Sequence, residues 1–344
     1  TIEIDPMRVP ALASEQLVKN FRVEVTLVSV PVSNVLYRIY DLTKQPGADG
    51  QIAFITEKAL TNGVWGTWRR DVVSNAVSAV IWTAVTNDIK YATTHLVLRR
   101  IPAGTRKVGN PLRDYTITTP FYISVFETTQ KQYELMGGNR SGAFFTIEGD
   151  FRPMEKVTYD VLRGTTLGAS WPDSAEVDQG SVIGNLRAMT GNNSFDLPTE
   201  WQWEYACRAG NTLAFNNNTS TQAGMFLVGR CMENGGQLYD GTKYIVFSGG
   251  ITKGMMRVGG YAPNAWGLYD MHGNVAELCR DWYVTNATAF VSDTQDATVA
   301  QSDGNRVLRN NGWWASWYQP ADQRASLSVS KSGSSNGFRV MMAE

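Results

Sequence analysis

Apolar and polar positions alternate in short runs from Phe21 to Val97. The clearest are Phe21 to Val28, Val35 to Tyr40, Ile52 to Ile55 and Val77 to Val85, separated by turn-rich stretches such as Lys44 to Gly50 and Leu60 to Gly63. Period-two runs interrupted by turns predict short strands, so residues 1–97 are expected to form a small β-rich region, immunoglobulin-like or similar. The texture changes near residue 98, where helix signals and Gly/Asn/Ser-rich loops take over, and a boundary is placed there. Thr129 followed by Gln132 is a capping box ahead of Tyr133-Glu-Leu-Met, with Gly137-Gly138 as the stop. Thr199 and Gln202 repeat the device for a helix over Trp201 to Arg208, with Glu200 in the positive first turn and Gly210 as terminator. Its Trp201 and Tyr205, four apart, mark a face to bury. Met154 to Arg163 is a third, weaker helix, and the loops Phe215 to Ala223 and Glu233 to Lys243 read as too polar for a core. The fold class is α+β and rich in loops.

The 344 residues carry Lys+Arg 31 and Asp+Glu 32, a net charge of −1. No global basic field exists to grip a phosphate backbone, so nucleic acid is not an expected partner. The longest apolar stretch, Ala76 to Val85, is about half of the ~20 residues that cross a bilayer, so no transmembrane segment is expected. Three cysteines (Cys207, Cys231, Cys279) are too few for a disulfide scaffold and leave at least one unpaired. The absence of CxxC argues against structural zinc. The 11 Trp, 14 Tyr and 13 Phe serve a core or a binding surface equally well.

Pro263 to Tyr283 holds the densest candidate chemistry. The carboxylates of Asp270 and Glu277 and the carbonyls of Gly273 and Val275 form an oxygen set of the kind calcium accepts; the alternative is two carboxylates bound to loop amides without a metal. Gly333 to Gly337 fits the G-x-S-x-G pattern of a nucleophile elbow, but a strand rather than a helix is expected after it, so hydrolase chemistry is not favoured. His272 reads as a loop hydrogen-bonder, and Cys207 and Cys279 as packed small side chains. From Asn310 onward, Trp313, Trp314, Trp317 and Tyr318 crowd together and are followed by a serine-alternating run. Rigid aromatics beside small hydroxyls and amides are the composition of a paratope.

The blocks Ile101-Pro-Ala-Gly, Phe126 to Tyr133, Leu197 to Gly210, Pro263 to Tyr283, Arg306 to Arg309 and Gly337-Phe-Arg-Val340 resemble the formylglycine-generating-enzyme (sulfatase-modifying factor) branch of the C-type lectin fold. The resemblance implies that fold for residues 98–344 and implies calcium at Asp270, Gly273, Val275 and Glu277. It also places Ala315 and Pro320 at the enzyme's two copper-binding cysteine positions. Neither has a thiol, so no catalytic residue and no copper are expected. The chain is further similar to the variable proteins of diversity-generating retroelements, with a variable segment at about 306–340.

The expectation is a non-catalytic ligand-binding protein. Its surface would be made by Asn310, Asn311, Trp314, Ser316, Trp317, Tyr318, Gln319, Asp322, Ser328, Ser330, Ser332 and Ser334, on a backbone held by Trp313, Arg324, Phe338 and Arg339. The ligand class is protein or carbohydrate. The location is the cell surface or outside the cell, with a lipid anchor on a removed N-terminal segment as one route. The rival readings are a formylglycine-type oxidase and a non-diversified adhesion protein.

Overall fold

Six antiparallel strands make the central sheet. Their spatial order is Ile52–Thr56 (β2), Val35–Asp41 (β1), His95–Ile101 (β3), Phe121–Ser124 (β4), Met341–Ala343 (β10) and Phe195–Asp196 (β5). The structure is a computed structural model that describes residues 35–56, 87–235, 254–285, 292–293 and 304–344. It also describes the backbones of the strands Trp68–Val73, Val77–Trp82, Gln237–Tyr239 and Tyr244–Val246. The expected Phe21 to Val28 strand lies outside the described residues.

The boundary expected near residue 98 falls inside β3. That strand pairs with β1 on one edge, Leu98 opposite Arg38, and with β4 on the other, Leu98 opposite Ser124. Residues 35–56 therefore share a sheet with the C-terminal strand, and Asn34 to Glu344 form one compact unit. Local period-two patterning identifies β1 and β2 as strands but carries no information on which strands they pair with.

Alternation along β4 and β10 buries both faces of the sheet. Tyr122 and Met342 point into one cluster with Leu162, Val182, Ile183 and Leu186; Phe121, Ile123 and Met341 point into another with Trp201, Trp203, Tyr205 and Cys207. The first face is covered by the helices Gln130–Leu135 (α1), Tyr159–Arg163 (α2) and Val182–Thr190 (α3). The second is covered by Glu200–Arg208 (α4). Both expected capping boxes close, with Thr129 and Thr199 as caps. All nine residues of α4 are buried rather than one face.

A second sheet stands over α4, in the order Arg324–Ser328 (β8), Asn305–Arg309 (β7), Ala276–Trp282 (β6) and Asn336–Gly337 (β9). The segment from residue 310 to 323 leaves β7 and returns as β8. Before β6 lies the helix Gln222–Val228 (α5), capped by Thr221. The loop expected to be too polar for a core is partly core: Phe215 is fully buried among Met225, Val228 and Cys231. Asn217 is buried beside it and donates to the Gly224 carbonyl at 2.9 Å. Side-chain amides that satisfy backbone groups can be buried like apolar side chains.

Candidate functional site

The terminal segment is held from beneath at several points. Asn310, in the left-handed conformation (φ 69°), is buried; its Nδ2 donates to the Gly273 carbonyl at 2.7 Å and the Val275 carbonyl at 3.4 Å, and its Oδ1 accepts from the Gly273 amide at 2.9 Å. The Trp313 amide donates to the Asn274 carbonyl at 2.8 Å and its indole Nε1 to the Ser334 carbonyl at 3.2 Å. Its ring stands edge-on to Phe145, with centroids 5.2 Å apart. Gln319 is buried and donates to the Gly312 carbonyl at 3.1 Å.

His272 holds Gln319 in turn. The Asn216 amide donates to His272 Nε2 at 3.0 Å, which leaves Nδ1–H to donate to the Gln319 carbonyl, also at 3.0 Å. This assignment follows from the donor on the Nε2 side. Burial holds the imidazole pKa down to about 4, so the ring is neutral and a positioning group, as expected from the sequence.

Above these anchors the side chains turn outward. Trp314 is 54% exposed and Tyr318 53%, Ser316 is exposed, and Asn311, Trp317 and Asp322 are half-buried. Trp317 and Tyr318 meet edge to face at 5.4 Å, and Phe215 lies 6.3 and 6.2 Å from their rings. Asp322 faces Arg208 at 3.6 Å. Ser330 and Ser332 are exposed and Ser328 and Ser334 half-buried. The serine run has different neighbours from the aromatics: the Val329 and Gly333 carbonyls accept from the amides of Asp160 and Lys156.

Asn310 and Gln319 were expected at the surface and are instead anchors. An amide reads as surface-seeking, but here each side chain turns inward and donates to backbone carbonyls, a bond no apolar side chain could make. The sequence also missed α5 and Phe215, against which Trp317 packs. Thr221 as cap was the available signal. Trp313 inward and Trp314 outward agree with the sequence reading.

Two charged centres support the segment. Buried Glu204 pairs with Arg309 and, at 2.7 Å, with Arg208, while Glu200 takes Arg324 at 2.6 and 3.0 Å. At the second, Glu277 accepts from Arg339 Nε at 2.6 Å and Nη2 at 2.7 Å and from the Trp203 indole at 2.6 Å. Glu127 accepts from Asn274 Nδ2 at 2.6 Å and the Val275 amide at 3.0 Å. Burial pushes Glu127 well above the usual carboxylate range and Asp270 up to about 6, with neighbouring carboxylates adding to both.

Asp270, Gly273, Val275 and Glu277 do not fit calcium as they lie. Glu277 is taken by Arg339 and Trp203, and one amide nitrogen, Asn310 Nδ2, occupies both carbonyls. Asp270 Oδ2 accepts from the Gly259 amide at 2.6 Å, and only its Oδ1 is buried without a partner. A cation would need the Asn310 side-chain amide removed first. Ala315 is half-buried and Pro320 buried. The three cysteines are free and buried, and burial pushes the Cys231 thiol up to about 11.

Two packed sheets with a long ordered excursion between β7 and β8 define a C-type lectin-like domain of the formylglycine-generating-enzyme type. The chain belongs to the sulfatase-modifying factor enzyme 1-like domain family, whose model matches residues 85–344. The bovine formylglycine-generating enzyme is 32% identical over 258 residues, 62% of this chain and 64% of that protein. A chaperone protein, LppX, of Paenibacillus barcinonensis is 29% identical over 187 residues, 47% of this chain and 62% of its own length. The chain thus spans less than two thirds of these relatives. Among solved structures, Treponema denticola variable protein 1 superposes with a TM-score of 0.52 at 21% identity, covering 73% of this chain and 96% of that one. PvdO from Pseudomonas aeruginosa gives 0.50 at 21% identity, covering 72% and 95%. No helix among the described residues is long and apolar enough to cross a membrane.

Proposed function

We propose that the protein is a non-catalytic binding protein whose terminal segment is a diversified ligand surface, as in the variable proteins of diversity-generating retroelements. The observation that carries this reading is the sorting of residues 310–319: Asn310, Trp313 and Gln319 are buried and bonded to backbone, while Trp314, Ser316 and Tyr318 between them are exposed. Large exposed aromatics on a backbone fixed at both ends supply contact area with little ordering cost on binding. A protein or carbohydrate ligand suits such rings, and the natural setting is the cell surface. Ala315 and Pro320 in place of thiols remove the ligands copper would need, and the Asn310 amide serves where the family's calcium would sit.

Sequencing the terminal coding segment across a population tests the diversification. Replacements are expected at Asn311, Trp314, Ser316, Trp317, Tyr318, Asp322 and the serine run. None is expected at Asn310, Trp313, Gln319, Arg324, Phe338 or Arg339. Invariance throughout, or replacements spread over the anchors, would reject it and leave a non-diversified adhesion protein. Formylglycine formation on a cysteine-containing sulfatase peptide would instead restore the oxidase reading.

A further inference from the structure

A pocket of about 350 Å³ lies beside the β5 edge of the central sheet, lined in part by Arg187, Arg280, Asp196, Asn193 and Gln202. Its charges are unequally matched. Fully buried Arg163 takes both oxygens of Asp196, Nε at 2.8 Å and Nη2 at 3.0 Å. That bidentate pair satisfies the carboxylate. Two more guanidiniums crowd the same Oδ2 without closing a short bond: Arg280 Nη1 at 3.5 Å and Arg187 Nη2 at 3.7 Å.

Among the described residues, neither closes a short ion pair with a carboxylate of its own. Arg280 stacks on Trp171 at 3.9 Å, and its Nε is buried with no hydrogen-bond partner. Arg187 donates to the neutral carbonyls of Phe195 (2.8 Å) and Ala175 (2.9 Å), and the nearby Glu176 is 3.8 Å away and 70% exposed. Burial and the adjacent Arg163 and Arg280 hold Arg187 below the usual guanidinium range. The other lining carboxylates are engaged elsewhere. Asp293 accepts from the Thr118 amide and hydroxyl at 3.0 and 2.9 Å, and Glu344 pairs with Arg100 at 2.8 Å. Among the described residues, three guanidiniums therefore converge on one carboxylate.

Desolvated cations are retained only where an anion compensates them, and the guanidinium fork matches a carboxylate or phosphoryl group in two-point contact. We propose that this pocket binds a small oxyanion, a phosphoryl or carboxylate group held between Arg187 and Arg280. The site is separate from the aromatic surface and independent of the reading given to it.

Calorimetric titration of the purified protein with inorganic phosphate and, separately, succinate at constant ionic strength tests the proposal. Saturable one-site binding of at least one is expected, weakened roughly tenfold or more by Arg280→Gln, since a charge-assisted bidentate contact is lost. Lys331→Gln, an equal change of charge on the exposed serine run, should leave the affinity unchanged. Preference for phosphate or for succinate identifies the group, and either supports the site. Arg187→Gln removes bonds to two carbonyls as well and would unfold the edge, so Arg280→Gln is the deciding variant, with its melting curve as the check on folding. Absence of saturable binding to both anions, equal affinity in Arg280→Gln, or equal loss in Lys331→Gln would overturn the proposal.

Discussion

The inward and outward sides of the terminal segment are made from the same residue types and behave oppositely. Trp313 is 4% exposed and its neighbour Trp314 54%. The amides of Asn310 and Gln319 are buried in backbone bonds, whereas Asn311 beside them is half-buried. The difference lies in what waits beneath. Under Trp313 lie Phe145, Met255 and Val275, and under Asn310 the Gly273 and Val275 carbonyls. Residue type sets what a side chain can satisfy, and the frame decides which copies are used for support.

The largest effects are expected on the inward side. Arg339→Met leaves buried Glu277 without its cation and without two hydrogen bonds. Breaking a buried pair in this way costs about 3–5 kcal/mol. Trp313→Ala should cost a similar ~3–5 kcal/mol through lost burial and a cavity. Urea unfolding of both variants checks this. Values under about 1 kcal/mol would mean that the segment is not anchored through these residues.

Gln319→Ala comes next. It leaves the Gly312 carbonyl without its side-chain donor while the backbone bond from His272 remains. The Gly312 carbonyl keeps the Ala315 amide at 3.3 Å, so the loss is that of one net hydrogen bond, about 1 kcal/mol, read as a lower urea midpoint at unchanged slope.

Asn310 sharpens the comparison through the metal. The parent should melt at the same temperature in calcium and in chelator, because a ligand that binds only the native state shifts stability by its own occupancy and the carbonyls are already occupied. Asn310→Gly keeps the left-handed backbone (φ 69°) and removes the amide. It should lose about 1–3 kcal/mol in chelator and regain part of that in calcium as the two carbonyls come free. A parent that melts higher in calcium would show that the amide yields to the ion.

Much of this frame was legible from local pattern. The two capping boxes and the strands β1 and β2 follow from spacing, because each is decided within a few residues, and the inward Trp313 follows from the family resemblance. What escaped depended on distant partners. The interior place of β3 is set by pairing with residues 37–41 and 121–124, and no run around residue 98 announces it. The helix α3 did carry signals: Ser181 as cap, Val182, Ile183 and Leu186 on one face, and Gly191 at φ 64° as terminator. Polar loops on both sides dilute that signal. The buried roles of Asn310 and Gln319 could not be read from residue type, since the carbonyls they satisfy come from residues 273–275 and 312.

The smallest effects are expected outside. Trp314→Ala, Ser316→Ala and Tyr318→Ala each remove a side chain that is exposed and that makes no hydrogen bond holding the segment among the described residues. Trp314→Ala and Ser316→Ala should each change stability by no more than about 0.5 kcal/mol, the usual range for surface positions, and Tyr318→Ala, which also loses its ring contacts with Trp317 and Phe215, by about 0.5–1 kcal/mol. Trp317→Ala falls between the two sides. Its ring is half-buried, with Phe215 at 6.3 Å and Tyr318 at 5.4 Å, so a loss of about 1 kcal/mol is expected from partial burial and one aromatic pair. The triple variant at 314, 316 and 318 is the decisive form, because it removes the exposed side chains together, any coupling between neighbours included, and a total still below about 1.5 kcal/mol is what a displayed surface predicts. A loss near that of Trp313→Ala would mean that the aromatics are core, and the proposed binding surface would lose its main support.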